Sequence, residues 1–245
     1  MSDEIESRIV EWRAKLLGEP MDLEDFPLWT DGCSFSVRKI GEDFFLCLPT
    51  SLAGEDRKIA TRAVPMYVDW LNGIGSLLFG AYEAVRWDGM LKGYDDQGNE
   101  AVISLRLTPV SARLKVGYLI ARTDGVLRPD PRIGAAKDLV RAAERKENGA
   151  RALALLAQIE LTWPQLFVLY EIVKGSISDD VVAKGWISKN DLRDFKRTCG
   201  SYEAIGIHAR HGPQHQTPPE VPMERAVAIQ LIRRLTLHWL VYEGQ

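Results

Sequence analysis

The sequence contains few of the residues on which common catalytic and metal sites depend. Only three cysteines occur in 245 residues, at positions 33, 47 and 199, and no pair has C-x-x-C spacing. This excludes a disulfide framework and the usual cysteine-rich zinc sites, and it favours a reduced cytoplasm with the cysteines as small core residues. Histidine is also scarce, with four in the chain.

Long apolar runs, a basic leader and a strong excess of one charge are also missing. No stretch reaches the about 18 apolar residues that a membrane span needs, and the acidic start MSDEIESRIVEW lacks a secretion signal. We therefore expect a cytoplasmic protein without a membrane partner. The net charge of −3 gives no general attraction to nucleic acid, although residues 126 to 245 carry 17 basic and 14 acidic side chains, against 14 and 20 before them.

Several sequence signatures of enzymes are missing too. The chain has no G-x-S-x-G, no G-x-x-x-x-G-K, no H-E-x-x-H and no dinucleotide-binding fingerprint. No cofactor is therefore expected, and the sequence leaves open whether the protein is an enzyme.

What is present predicts an α+β chain, with a mixed or mainly β module at residues 1–128 and a helical domain at 129–245. The spacing of Ile5, Ile9, Trp12 and Leu16 predicts an N-terminal helix capped by Ser2. SFSVRKI and DFFLCLP predict a hairpin, and AYEAVRWDGMLKGYDDQGNEAVISLRLTPVSARLKVGYLIAR predicts an antiparallel meander. Residues 55 to 79 stay ambiguous, because Pro65 and two glycines interrupt a helical pattern.

The second half has helical patterns only. Thr162 and Gln165 form a capping box before a helix that runs to about Lys174, and Ser188 and Asp191 form another before a helix with apolar face Leu192, Phe195 and Cys199. A last helix is expected from about Pro222, with its inward side chains at positions 229, 232, 235 and 239.

The candidate site is GIHARHGPQHQTPPEVPM, residues 206 to 223, which holds three of the four histidines. One interpretation is a metal site on His208, His211 and His215, but H-x2-H-x3-H is no standard ligand spacing and we expect no metal. Another is chemical: Arg210 and His215 form R-x4-H, with the polar His211 directly after the arginine. A guanidinium suits phosphate, and an imidazole titrates near neutrality.

This R-x4-H pattern resembles the motif of HEPN-type ribonucleases, which are helical domains of bacterial defence and toxin systems that cut RNA without a metal. The resemblance implies that Arg210 holds the scissile phosphate, that His215 serves in acid–base chemistry on the ribose, and that two protomers pair their motifs as a homodimer. Lys189, Arg193 and Arg197, spaced four apart, would guide the RNA. The prolines after the loop depart from the family pattern, and Arg233 and His238 repeat the spacing inside the last helix, on different faces.

The wider segment GIHARHGPQHQTPPEVPMERAVAIQLIRRLTLHWL is similar to the C-terminal end of many uncharacterised bacterial proteins. The similarity rests on the A-R-H-G loop, the Pro-rich link ending in P-M and the final helix closing on W-L. It implies a common fold and no particular activity.

Two further interpretations remain open. Residues 176–198 have the length of a helix-turn-helix that would present Lys189, Asn190, Arg193 and Arg197 to DNA. Alternatively, the arginine and histidines only brace a Pro-rich connection in a non-catalytic module that binds a protein partner. On that view His238 packs or lies at an edge, and the core is expected to contain most of the tryptophans, at positions 70, 87, 163, 186 and 239.

Overall fold

A computed structural model describes residues 8–79, 83–105, 131–158, 160–210 and 217–242. The chain divides into two compact units, Met1–Arg141 and Ala142–Gln245. The fold is α+β, as the sequence predicts, with strands in the first unit and helices in the described part of the second. The predicted module boundary at residues 128 and 129 lies outside the described residues, as do the predicted strands after residue 105.

In its described residues, the first unit contains a five-stranded antiparallel sheet in the order β2-β3-β1-β4-β5. The strands are β1 (Glu11–Leu17), β2 (Ser36–Ile40), β3 (Asp43–Pro49), β4 (Arg86–Tyr94) and β5 (Glu100–Leu105). The hairpin β2–β3 and the pair β4–β5 confirm the predicted extended segments, and Gly41 takes a positive φ of 64° in the hairpin turn.

The predicted N-terminal helix is wrong over Glu11–Leu17, which forms the central strand of the sheet. Trp12, Ala14 and Leu16 are buried on one face and alternate with half-buried neighbours, the period of a strand. The helical interpretation failed because a spacing of four residues places Trp12 and Leu16 on one face of a strand as well as on one face of a helix. Pairing with β3 and β4, far along the chain, decides between the two patterns.

Before the gap at residues 106–130, the sheet is accompanied by helices α1 (Pro20–Trp29), α2 (Thr50–Ala53) and α3 (Arg57–Leu78). α3 resolves the ambiguous segment as a helix of 22 residues that contains Pro65. The carboxylate of Asp56 caps it by accepting from the backbone N–H groups of Lys58 and Ile59, at 2.7 and 3.2 Å. Buried Asn72 fixes the start of β4, since its side chain accepts from Val85 N at 2.8 Å and donates to Val85 O at 3.0 Å.

α4 (Pro131–Arg145) leads into the second unit, which contains α5 (Gly149–Leu156), α6 (Trp163–Gly175), α7 (Lys189–Gly200), α8 (Tyr202–Ile205) and α9 (Arg225–Val241). Both predicted caps are confirmed: Gln165 Oε1 accepts from Thr162 N at 2.8 Å, and Ser188 Oγ accepts from Asp191 N at 3.0 Å. α6 packs against α9. Phe195 is fully buried among Trp163, Phe167 and Tyr170.

The expected core residues are largely buried. Cys47 and Cys199 are buried and Cys33 is half-buried, while Trp70, Trp163 and Trp239 are buried and Trp87 and Trp186 half-buried. On α9, Ile232, Leu235 and Trp239 point inward as predicted, and Ile229 is half-buried. Among the described residues, no helix combines the length and the apolar character that a membrane crossing requires.

Candidate functional site

Arg210 lies where the chain leaves a short 3₁₀ turn, Gly206–His208, after α8. Ser201 caps α8 by accepting from Ala204 N at 3.3 Å, and Gly206 reverses the chain at a positive φ of 61°. The backbone N–H of Arg210 then donates to Cys199 O at 2.9 Å. The residue is therefore fixed to the last turn of α7 through its main chain.

The guanidinium of Arg210 is held by two residues of α6 that lie one turn apart. Nη2 donates to Glu171 Oε1 at 2.8 Å, and Cζ lies 3.9 Å from the ring centroid of Phe167. The Arg210 side chain remains 36% exposed. A guanidinium has five N–H donors, and Glu171 is the hydrogen-bond acceptor that this one has among the described residues.

The partner predicted for this arginine, His215, lies outside the described residues together with His211. The Arg210–His215 pair therefore stays a prediction. His208 is described: it is exposed at the end of the 3₁₀ turn. Within the described ranges, no group of three or more His, Cys, Asp or Glu side chains could hold a metal ion.

The three basic side chains predicted to guide RNA lie on α7 and differ in their contacts. Lys189 is exposed and is not bonded to any described residue. Arg193 Nε donates to the neighbouring Asp194 Oδ1 at 2.9 Å. Arg197 Nε donates to Thr217 O at 2.9 Å, and its Nη2 donates to Pro218 O at 2.7 Å. Arg197 thus binds the protein's own main chain.

Three consecutive residues of α7 hold the chain on both sides of residues 211–216. Cys199 O accepts from Arg210 before them, and Arg197 binds Thr217 and Pro218 after them. Buried Thr198 adds a third contact, its Oγ1 accepting from Met223 N at 3.0 Å. The brace interpretation assigned such anchoring to Arg210 and the histidines, and sequence reasoning missed the contacts of Arg197 and Thr198.

Cys199 does not supply a nucleophile beside Arg210. Burial raises the pKa of its thiol to about 12, and the nearby positive charge of Arg210 opposes that rise only in part. The thiol therefore stays protonated near neutral pH, which suits a core residue.

The first helix of the predicted helix-turn-helix is wrong. Residues 176–188 form turns and bends, and no helix lies between α6 and α7. Asp180 Oδ1 accepts from Val182 N at 3.0 Å, and Gly185 reverses the chain at a positive φ of 71°. The Asp180 side chain bonds the backbone two residues further on, and the left-handed Gly185 follows, which leaves too few residues between them for a helix.

The second R-x4-H pair is separated, as predicted. Arg233 is half-buried on α9, where burial lowers the pKa of its guanidinium. His238 is exposed, and its ring stacks on Trp186 with centroids 6.2 Å apart and planes at 11°. This stacked pair was not expected, because 51 residues separate the two positions and neither shows a binding pattern of its own.

Comparisons with known proteins identify no relative from which a function could be inferred. No protein-family model matches the chain, and neither curated proteins nor solved structures match it. What the fold and the site define is a class: an α+β protein whose helical second unit presents an oriented arginine beside a histidine-rich segment.

Proposed function

We propose that the second unit binds RNA and cleaves it, with Arg210 and His215 as the working pair, in a cytoplasmic protein of a bacterial defence or toxin system. The proposal follows the resemblance of R-x4-H to the HEPN ribonuclease motif. In it, Arg210 contacts the scissile phosphate, and His215 transfers a proton at the 2′-hydroxyl or at the leaving oxygen. Two protomers would pair their motifs.

The observation that carries the proposal is the state of the Arg210 guanidinium. It is fixed on the ring of Phe167 at 3.9 Å and by one bond to Glu171, yet it is more than one third exposed. An arginine whose orientation is already set loses little entropy when it binds a phosphate through its remaining donors. The arrangement is therefore suited to an anionic ligand.

Glu171 provides a further test of the proposal. Its carboxylate binds the Arg210 guanidinium and would therefore lie close to a phosphate bound there. The exposed fraction of the Glu171 side chain is 47%, so its charge is screened by water and repels a phosphate only moderately. Glu171→Gln removes that charge and keeps the shape. We expect this variant to bind RNA a few-fold more tightly than the native chain.

The deciding experiment measures cleavage of a labelled RNA by the native chain and by His215→Ala. Loss of acid–base chemistry should lower the rate by about a hundredfold or more, with a nearly unchanged melting temperature. His208→Ala is the matched control, since His208 is exposed two residues before Arg210, and it should cleave as the native chain does. Undiminished cleavage by His215→Ala, or none by the native chain, would contradict the proposal.

A second candidate is a non-catalytic module that binds a protein, with the histidine segment as a brace. The anchoring of Arg210, Thr217 and Met223 to α7 favours it. So does the exposure of two apolar side chains within residues 206 to 223, Ile207 at 84% and Val221 at 79%. In that case Arg210→Ala should lower the free energy of unfolding by about 1 to 3 kcal/mol, with no cleavage by the native chain.

A further inference from the structure

A second feature of the helical unit is the stacked pair Trp186 and His238. The two rings are nearly parallel, at 11°, and His238 is exposed. Tyr242 supports the indole from the side, with its ring 5.2 Å from that of Trp186 and at 73° to it. The result is a flat aromatic surface with one open end.

Further contacts connect Trp186 and Tyr242 to their surroundings. The backbone N–H of Trp186 donates to Val181 O at 3.1 Å. Lys184 Nζ donates to Asp179 Oδ2 at 2.7 Å and to Tyr242 Oη at 2.8 Å, and it lies 4.2 Å from the Tyr242 ring centroid. The Lys184 side chain is only 15% exposed. Asp179 is therefore paired with the same lysine that contacts Tyr242.

A basic side chain lies beside the open ring. Arg234 precedes His238 by one turn of α9 on the same face of the helix, is exposed, and is not bonded to any described residue. The helix sequence RAVAIQLIRRLTLHWLV contains no acidic residue. A phosphate at Arg234 would meet no carboxylate from its own helix.

We propose that Trp186 and His238 form a stacking platform for bases of single-stranded RNA, with Arg234 contacting the phosphate of the same strand. Flat side chains bind unpaired bases without regard to sequence, and an adjacent cation holds the backbone. The inference rests on the proposed function, since it names the form of RNA that the helical unit binds. It places this contact on residues separate from Arg210 and His215.

The test measures binding by fluorescence anisotropy with a labelled, 2′-O-methylated oligouridine, which cannot be cut through its 2′-oxygens. His238→Ala should weaken binding about tenfold, the typical loss of one stacked base. His238→Phe keeps a flat ring and should retain most of the affinity. The control His208→Ala should bind as the native chain does, because that histidine is exposed away from any aromatic partner in the described residues.

Arg234→Ala tests the phosphate contact. It should weaken binding and reduce the slope of log K against log salt by about 0.7, as expected for one contact with a single strand. Arg151→Ala is its control, since Arg151 is an exposed arginine on α5 without a described partner. An abasic oligonucleotide of equal length should bind the native chain about tenfold more weakly, with little further loss in His238→Ala.

The outcomes separate the two proposals. If His238→Ala and the native chain bind the oligouridine equally, the platform is refuted, whatever the cleavage assay shows. If His238→Ala loses affinity and Phe restores it while the native chain cuts no RNA, the platform stands and the nuclease proposal fails. Absence of binding by the native chain would overturn the platform as well.

Discussion

In both units a polar side chain fixes a connecting segment, and the contacts of Asn72 and Arg197 differ mainly in their access to water. In the sheet unit, Asn72 binds both backbone groups of Val85, and both residues are buried. In the helical unit, Arg197 binds the carbonyl oxygens of Thr217 and Pro218 from a half-buried position. The same kind of contact should therefore contribute unequally, because water can replace the partner in only one of the two places.

The largest effect should come from Asn72. Asn72→Ala leaves a buried N–H and a buried C=O of Val85 without their partner, which should lower the free energy of unfolding by about 2 to 4 kcal/mol. Urea denaturation followed by circular dichroism measures it, with exposed Asn190→Ala as a control expected within about 0.5 kcal/mol of the native chain. If Asn72→Ala lowered the free energy of unfolding by less than about 1 kcal/mol, the buried contact would not contribute more than the half-buried one, and the comparison of the two units would fail.

Arg197→Ala should have a smaller effect, about 1 to 2 kcal/mol by the same denaturation, since the freed carbonyl oxygens can be hydrated. Lys189→Ala, on the same helix but with no described partner, should change stability by less than about 0.5 kcal/mol. If Arg197→Ala left the stability unchanged but weakened RNA binding, the result would contradict a structural role and support the predicted role of Arg197 in guiding RNA.

The smallest of these effects concerns the helix caps, which are equivalent in the two units. Asp56→Ala and Ser188→Ala each remove a side-chain acceptor from a helix start and should cost about 1 kcal/mol. Thermal unfolding of both variants, with exposed Ser178→Ala as control, checks this. A much larger loss at one cap would show that the units differ in local helix stability as well as in how they hold their connections.

The sequence predicted correctly those parts of the fold that depend on residues close together in the chain. The caps at Thr162 and Ser188 are complete within four residues, so the chain alone specifies both helix starts. The N-terminal pattern around Trp12 fitted a helix and a strand, and the choice depended on pairing with residues 28 to 38 positions away on β3. α3 was ambiguous for a related reason, because tertiary packing of its buried face outweighs the local cost of Pro65.

The same holds for the candidate site: sequence spacing identified residues, but not their contacts with distant segments. Arg210 was found from its spacing to His215, but its bond to Glu171 and its contact with Phe167 join a turn to a helix about 40 residues earlier in the chain. Arg197 looked equivalent to Lys189 and Arg193, because residues four apart share a helix face. Sequence spacing could not show that the end of a Pro-rich segment returns to that helix and occupies the guanidinium.

By itself the sequence determined the class of the fold, the starts of α6 and α7, the hairpin, and the concentration of histidines near the last helix. These depend on periodicity, capping and turn chemistry, which act over a few residues. Only the tertiary structure decided that Glu11–Leu17 is a strand, that Arg197 binds main chain while Arg210 stays partly open, and that Trp186 stacks on His238. Those outcomes depend on which distant segments pack together, and the free energy of packing outweighs local preference.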